Sequence, residues 1–320
     1  MRHVRNYVTR KERMILSRPH WRYLVVITVV ALSLVSCQQP AASPTATKPA
    51  ATTAPAAAPA ATTAPAATKP TAPAAASPAA ATPAPTAAAA SGANIDRIKK
   101  AGKIVVLQDA TFRPMEFKDE KGEIVGFDVD LADAFAKSLG VKRETQNINW
   151  DGIFVALKQG KGDMILSSVT ITDERKKEMA FSQPYYAAGQ MIVVPADNTT
   201  IKGPNDLKGK TVAVQIDTTG QEAAEKIGGL EIRKFDGGAE TMLAVEQGKV
   251  DAGVIDAMVA LDFVKNHPKV KVADKKPFTS EDLGAAFRKD CEDLVKAFDD
   301  FINAAKKDGT YDKILQKWGM

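Results

Sequence analysis

Ala156-Leu157-Lys158-Gln159-Gly160-Lys161-Gly162-Asp163 and Ala244-Val245-Glu246-Gln247-Gly248-Lys249-Val250-Asp251 are two copies of one pattern. Each ends a helical repeat on a glycine and then enters a short apolar run. The first run closes on Ser167 and the second on Asp256. A glycine just past the last helical turn takes the left-handed conformation that stops a helix, and a brief apolar run bounded by polar residues is a buried strand. Helix feeding strand is the unit of an α/β fold with parallel sheet. Two copies so far apart predict two sheets, hence two lobes. Ligands in open α/β sheets sit outside the carboxyl ends of the strands, so Ser167, Ser168 and Asp256 mark the expected mouth.

The flanking sequence agrees. Lys103-Ile104-Val105-Val106-Leu107 is an apolar run ending in polar Gln108-Asp109 and predicts a strand. Phe127, Leu131, Phe135 and Leu139 stand four apart on one face of a helix that Gly140 stops. Trp150-Asp151-Gly152 opens a second helix through Gln159, followed by a strand over Asp163–Ser167. Val212–Gln215 predicts a strand, and Asp217-Thr218-Thr219-Gly220 a turn into a helix over Gln221–Ile227. The folded region is expected from residue 94 to 320.

The N-terminus has a different character. Between Arg2 and Arg22 there are seven Lys and Arg against one acid, then an uncharged stretch from Tyr23 to Ser36 ending Leu34-Val35-Ser36-Cys37. A basic stretch, a short apolar run and small residues before a cleavage point predict a secretory signal over residues 1–36. The apolar run is shorter than the roughly 20 residues a spanning helix takes. Leu-x-small-Cys resembles the lipobox of bacterial lipoproteins, which implies lipidation of Cys37 and a membrane anchor there. Residues 37–93 are almost wholly Ala, Pro, Thr and Ser, with Lys48 and Lys69 the only charges. Such composition buries too little apolar surface to offset chain entropy, so a disordered tether is expected.

Processing also resets the charge. The chain is +5, but the leader carries six of those charges net, so the mature protein is −1. With no basic cluster interleaved with aromatics downstream, nucleic-acid binding is not expected. If Cys37 carries lipid, Cys291 is alone, so no intramolecular disulfide is expected and Cys291 reads as a packing residue. His267 is the one histidine beyond the leader, which leaves little for a zinc site or a Cys–His pair. No metal, cofactor or catalytic residue is expected.

Four further segments narrow the fold. They are Asp109-Ala110-Thr111-Phe112-Arg113-Pro114-Met115-Glu116-Phe117, Gly126-Phe127-Asp128-Val129-Asp130-Leu131, Thr170-Ile171-Thr172-Asp173-Glu174-Arg175 and Phe181-Ser182-Gln183-Pro184-Tyr185-Tyr186. With Asp308-Gly309-Thr310-Tyr311 and Lys317-Trp318 near the end, this ordered set resembles the family 3 extracellular solute-binding proteins, which include glutamine, histidine and lysine/arginine/ornithine receptors. The resemblance implies a two-lobed, periplasmic-binding-protein-like type II fold. Lobe one would hold 94–186 plus 281–320 and lobe two 187–280, and the lobes would close about a two-crossing hinge. It also implies an extracytoplasmic monomeric receptor that passes a free L-amino acid to an ABC permease.

By the same resemblance, Arg175 takes the ligand α-carboxylate, aided by the Thr170 and Thr219 amides. A planar guanidinium suits that bidentate task, and Thr172 reads as the cap of the helix that carries it. Asp256 takes the α-ammonium with the Ser168 carbonyl and the Thr170 hydroxyl; its competing reading is a helix cap. Phe112 and Trp150 would flank the side chain. Asp109 matches a carboxylate that receives a side-chain amide or amine, so acidic ligands are disfavoured. Gln215 and Ile255 stand where the glutamine receptors carry a lysine and a histidine, and Asp217 stands where the family commonly has Gly. Fewer cations and one more carboxylate tilt the expectation to arginine or lysine, with glutamine close behind. Two alternatives remain open. One is a cyclohexadienyl-dehydratase-like enzyme using Glu116 and the cleft acids. The other is a sensory module, although the sequence ends at Trp318-Gly319-Met320 with no membrane helix after it.

Overall fold

A computed structural model describes residues 92–320. The signal, the lipidation of Cys37 and the tether up to residue 91 lie outside the described residues.

In chain order the structure opens with α1 (Ala93–Ala101), β1 (Lys103–Gln108), β2 (Thr111–Phe112), β3 (Glu116–Lys118) and β4 (Ile124–Val125). Then come α2 (Phe127–Leu139), β5 (Lys142–Asn147), α3 (Trp150–Lys158), β6 (Met164–Ile165), α4 (Asp173–Glu178) and β7 (Ala180–Phe181). The middle holds β8 (Tyr186–Ala188), β9 (Gln190–Pro195), β10 (Thr211–Gln215), α5 (Thr219–Ile227), β11 (Glu231–Phe235) and α6 (Gly238–Glu246). It continues through β12 (Ala252–Asp256), α7 (Ala257–Asn266) and β13 (Val270–Val272). The chain closes with β14 (Glu281–Leu283), β15 (Ala286–Phe287), α8 (Glu292–Asp308) and α9 (Thr310–Lys317).

The strands build two main sheets, ordered β5-β1-β6-β15-β7 and β11-β10-β12-β9-β13. Each has a parallel centre, β5-β1-β6 in one and β11-β10-β12 in the other, with antiparallel additions. The two lobes of a type II binding-protein fold are thus present. They are joined by β8 and β14, which pair antiparallel as a two-stranded ribbon.

The duplicated pattern that opened the sequence forms two copies of the same helix end. Gly160 and Gly248 take φ of 72° and 68°. Their amides donate to Leu157 O and Val245 O, and the next amides, Lys161 and Lys249, donate to Ala156 O and Ala244 O. Phe127, Leu131 and Phe135 of α2 are fully buried, each contributing about 1.5–3 kcal/mol, and Gly140 caps the helix at φ 75°. Gly126 precedes α2 at φ 148°, where a Cβ would lie 2.0 Å from Met115 O. That approach explains the glycine in Gly126-Phe127-Asp128. Two elements differ from expectation. The strand before Ser167 is only Met164–Ile165, and α5 begins at Thr219 because the Thr218 hydroxyl caps it by accepting from Gln221 N.

Candidate functional site

Where the parallel strands of the two sheets end, they enclose a small, closed-down cavity of about 20 Å³. β1 delivers Asp109, β6 leads to Ser167 and Ser168, β10 ends on Gln215 and β12 on Asp256. Helix starts supply the rest: Trp150 opens α3, Arg175 lies in the first turn of α4, and Thr219 opens α5. With Phe112 and Thr170, all ten residues expected from the sequence line this one cavity, joined by Glu116 and Thr218.

Arg175 is positioned from several sides. Thr172 Oγ1 accepts from Arg175 N at 3.1 Å, the expected helix cap. The guanidinium sits 5.4 Å from the Trp150 ring centre and 5.2 Å from that of Phe154. Its Nη1 donates to Thr170 O at 2.9 Å and its Nη2 to Asp217 O at 3.5 Å. Two of its five donors are spent on carbonyls, leaving the others for an anion. Burial pulls its pKa below the ordinary value, opposed by Glu222, Glu281 and Asp256. Trp150 thus presents its face to the protein's own cation, and its Nε1 donates across the cleft to Asp217 O at 2.9 Å.

Asp217 requires a correction. Its carboxylate is exposed and does not line the cavity. What it brings to the cleft is its carbonyl, held by a left-handed φ of 57°, a conformation that explains why glycine suits this position. The carboxylate expected here to favour basic ligands is therefore elsewhere. Ile255 is buried at 3% exposure and puts no charge into the cavity.

Asp256 closes β12 and precedes α7, yet its side chain makes no cap hydrogen bond. It is 8% exposed, and Oδ1 has no partner. Burial, then the nearby Glu281 charge, pushes its pKa up to about 7, with Gln190 and Arg175 pulling the other way. A carboxylate kept off the helix end and short of donors is primed for a cation.

On the opposite side, Gln215 Nε2 donates to Asp109 Oδ2 at 2.8 Å and to Asp236 O at 3.0 Å, linking the lobes. Burial raises Asp109 to about 6, with Thr111 and Gln215 opposing. Behind it, Ser167 Oγ accepts from Asp109 N and donates to Glu116 Oε1 at 2.7 Å. Asp128 accepts from the Ser168 amide and the Tyr185 hydroxyl. Ser168 itself is left-handed at φ 51°. Glu116 and Asp128 are wholly buried, and each keeps one unpartnered oxygen. Burial and then the Asp128 charge hold Glu116 well above the ordinary range. Phe112 packs its ring where a Cβ on Gly238 would come within 2.7 Å, so this glycine lets the lobes meet.

The sequence reading missed Thr218, whose capping role was visible only in kind, and the buried Gln190 and hinge Glu281, which carried no local signal. Cys291 is buried just before α8, with its thiol pushed up to about 11 by burial. His267 follows α7, hydrogen-bonded to Glu246 at 2.9 Å and stacked on Phe263. No cluster of metal-ligating side chains occurs among the described residues.

The family model for bacterial extracellular solute-binding proteins, family 3, matches residues 104–320. The L-cystine-binding protein TcyJ of Escherichia coli (strain K12) is 34% identical over 226 residues, covering 70% of this chain and 85% of that protein. The arginine-bound form of a truncated ArgBP from T. maritima is 42% identical with a TM-score of 0.63, covering 65% of this chain and 99% of that truncated one. An ancestral amino acid-binding protein, described as a precursor of cyclohexadienyl dehydratase, is 45% identical with a TM-score of 0.67, covering 70% and 98%.

Proposed function

The chain belongs to the bacterial extracellular solute-binding proteins of family 3, and we propose that its cavity takes a free L-amino acid with a basic side chain, destined for an ABC permease. The observation that carries this reading is the pairing of Arg175 with Asp256 on the walls of one small cavity. An α-amino acid holds its carboxylate and ammonium a fixed distance apart, and a fixed cation and anion in one buried space match that arrangement. The Arg175 fork, with the amides at the start of α5, suits the carboxylate. Asp256, with its open Oδ1, suits the ammonium. Asp109, at the far side, is what the ligand side chain would meet. A guanidinium or ammonium there regains the charge interaction that burial denies Asp109, and a second carboxylate would be repelled. Glutamine, which can donate its amide to Asp109, is the neighbouring reading.

The lobes meet through Trp150–Asp217, Gln215–Asp109 and Thr111–Gly238 contacts, so binding and closure share residues. A dehydratase would act on a dianionic prephenate-like substrate, and three acidic side chains on the cavity wall, Asp109, Glu116 and Asp256, suit that poorly. Thermal unfolding of the refolded protein against arginine, lysine, glutamine, histidine, cystine and prephenate tests the reading. A ligand at 100 times its Kd stabilises by about 2.7 kcal/mol. Arginine or lysine should give the largest shift. A response to prephenate alone, or to no amino acid, would refute the function.

A further inference from the structure

Glu281 stands on the hinge strand β14, outside the cavity, yet three hydroxyls converge on it. Its Oε2 accepts from Thr170 Oγ1 and from Thr219 Oγ1, both at 2.8 Å, and its Oε1 from Thr279 Oγ1 at 2.9 Å. Thr170 follows β6 in the first lobe and Thr219 opens α5 in the second. One carboxylate oxygen therefore ties the two walls of the cleft together. Thr170 and Thr219 line both the cavity and a larger open groove that Glu281 also lines, so this cluster is the partition between them.

Proton accounting makes the contact directional. A threonine hydroxyl has a single proton, and a carboxylate only accepts. If both hydroxyls give their protons to Glu281, the 3.3 Å contact between Thr170 Oγ1 and Thr219 Oγ1 is not a hydrogen bond. Thr219 Oγ1 uses one of its two lone pairs to accept from Gln190 Nε2 at 3.3 Å. Thr170 Oγ1 is left with lone pairs and no proton to offer. Thr279 fixes the carboxylate in turn, because its own oxygen accepts from Gln190 N at 2.7 Å.

We propose that Glu281 is a positioning residue for ammonium recognition. It clasps Thr170 to Thr219 across the cleft and makes the Thr170 oxygen an obligate acceptor beside Asp256. The proposal rests on the reading that the cavity holds an α-amino acid. It adds a residue that touches no ligand but decides which way a ligand-facing hydroxyl points. Without Glu281 the Thr170 proton is free to turn into the cavity, where it would oppose an ammonium.

The test uses the full chain and the variants Glu281→Ala and Glu281→Gln, titrated with L-arginine, L-glutamine and the des-amino counterpart of each. The wild type should prefer each amino acid over its des-amino counterpart. In Glu281→Ala that preference should fall roughly tenfold or more, the scale of a charge-assisted hydrogen bond, mainly through weaker binding of the amino acids. Glu281→Gln keeps the shape, but its carboxamide has a single acceptor oxygen and can satisfy either the Thr170–Thr219 pair or Thr279, so the preference should fall by a smaller factor. This second variant also covers the case in which the alanine chain fails to fold. Equal weakening of amino acids and des-amino counterparts would mean a merely structural role and overturn the proposal, as would unchanged affinities in both variants. A wild type that binds no α-amino acid would instead overturn the parent reading along with it.

Discussion

Asp256→Asn is expected to stabilise the ligand-free protein at pH 8 while abolishing its response to amino acids. In the unfolded chain the carboxyl ionises near 3.8, and in the folded protein it holds its proton to about 7. Between those values the folded state binds a proton that the unfolded state has lost, so stability falls as pH rises through the window and levels off above it. Each pH unit well inside the window costs about 1.4 kcal/mol, and with the levelling-off near pH 7 the total from pH 5 to pH 8 is about 2.6 kcal/mol. The described region is of a size for which 1 kcal/mol moves Tm by roughly 2–4 °C, so the variant's advantage should grow by roughly 5–10 °C from pH 5 to pH 8. Asp109, raised to about 6, adds a similar slope at lower pH to both proteins and cancels in the difference. Scanning calorimetry of both proteins, refolded without ligand, at pH 5, 6, 7 and 8 gives the answer. Parallel Tm-versus-pH curves would refute the claim that burial of this carboxylate opposes folding.

Three further outcomes follow from the same geometry. Asp109→Asn should leave glutamine affinity within a few-fold while weakening arginine by roughly tenfold or more, read by titration calorimetry; equal effects on the two would remove Asp109 as the specificity residue. Arginine affinity of the wild type should rise from pH 5 to pH 8 as Asp109 and Asp256, raised to about 6 and about 7, lose their protons, and a flat profile would contradict their facing the ligand cation. Phe135→Ala, deep in the first lobe, should cost about 3–5 kcal/mol of stability in a denaturant titration, with the affinity of the remaining folded protein unchanged.

What the sequence made legible was local or periodic. The Phe127, Leu131, Phe135 face of α2 followed from spacing, and the Thr172 cap from residue type. The duplicated helix end was enough to put Ser167 and Asp256 at strand mouths. What stayed hidden depends on residues far apart in the chain. Glu281 meets Thr170 and Thr219 across 111 and 62 positions. Trp150 meets the Asp217 carbonyl across 67. The Asp217 expectation fails for a different reason. Replacing a glycine there adds a carboxylate to the composition, but the left-handed backbone keeps the carbonyl as the working group and sends the side chain to solvent.

Helix α1 carries a mechanical consequence. It docks through its first residues onto α8, where Asp293 accepts from the amides of Asn94 and Ile95 and from the Asn94 side chain. Both the entry of the described chain and its closing helices α8 and α9 therefore belong to the first lobe. Tension arriving along the preceding chain is borne by that lobe's helices and does not run through the β8–β14 ribbon. The second lobe connects to the first through that ribbon, so a swing about it would leave the α1–α8 contact, and with it the entry of the described chain, in place.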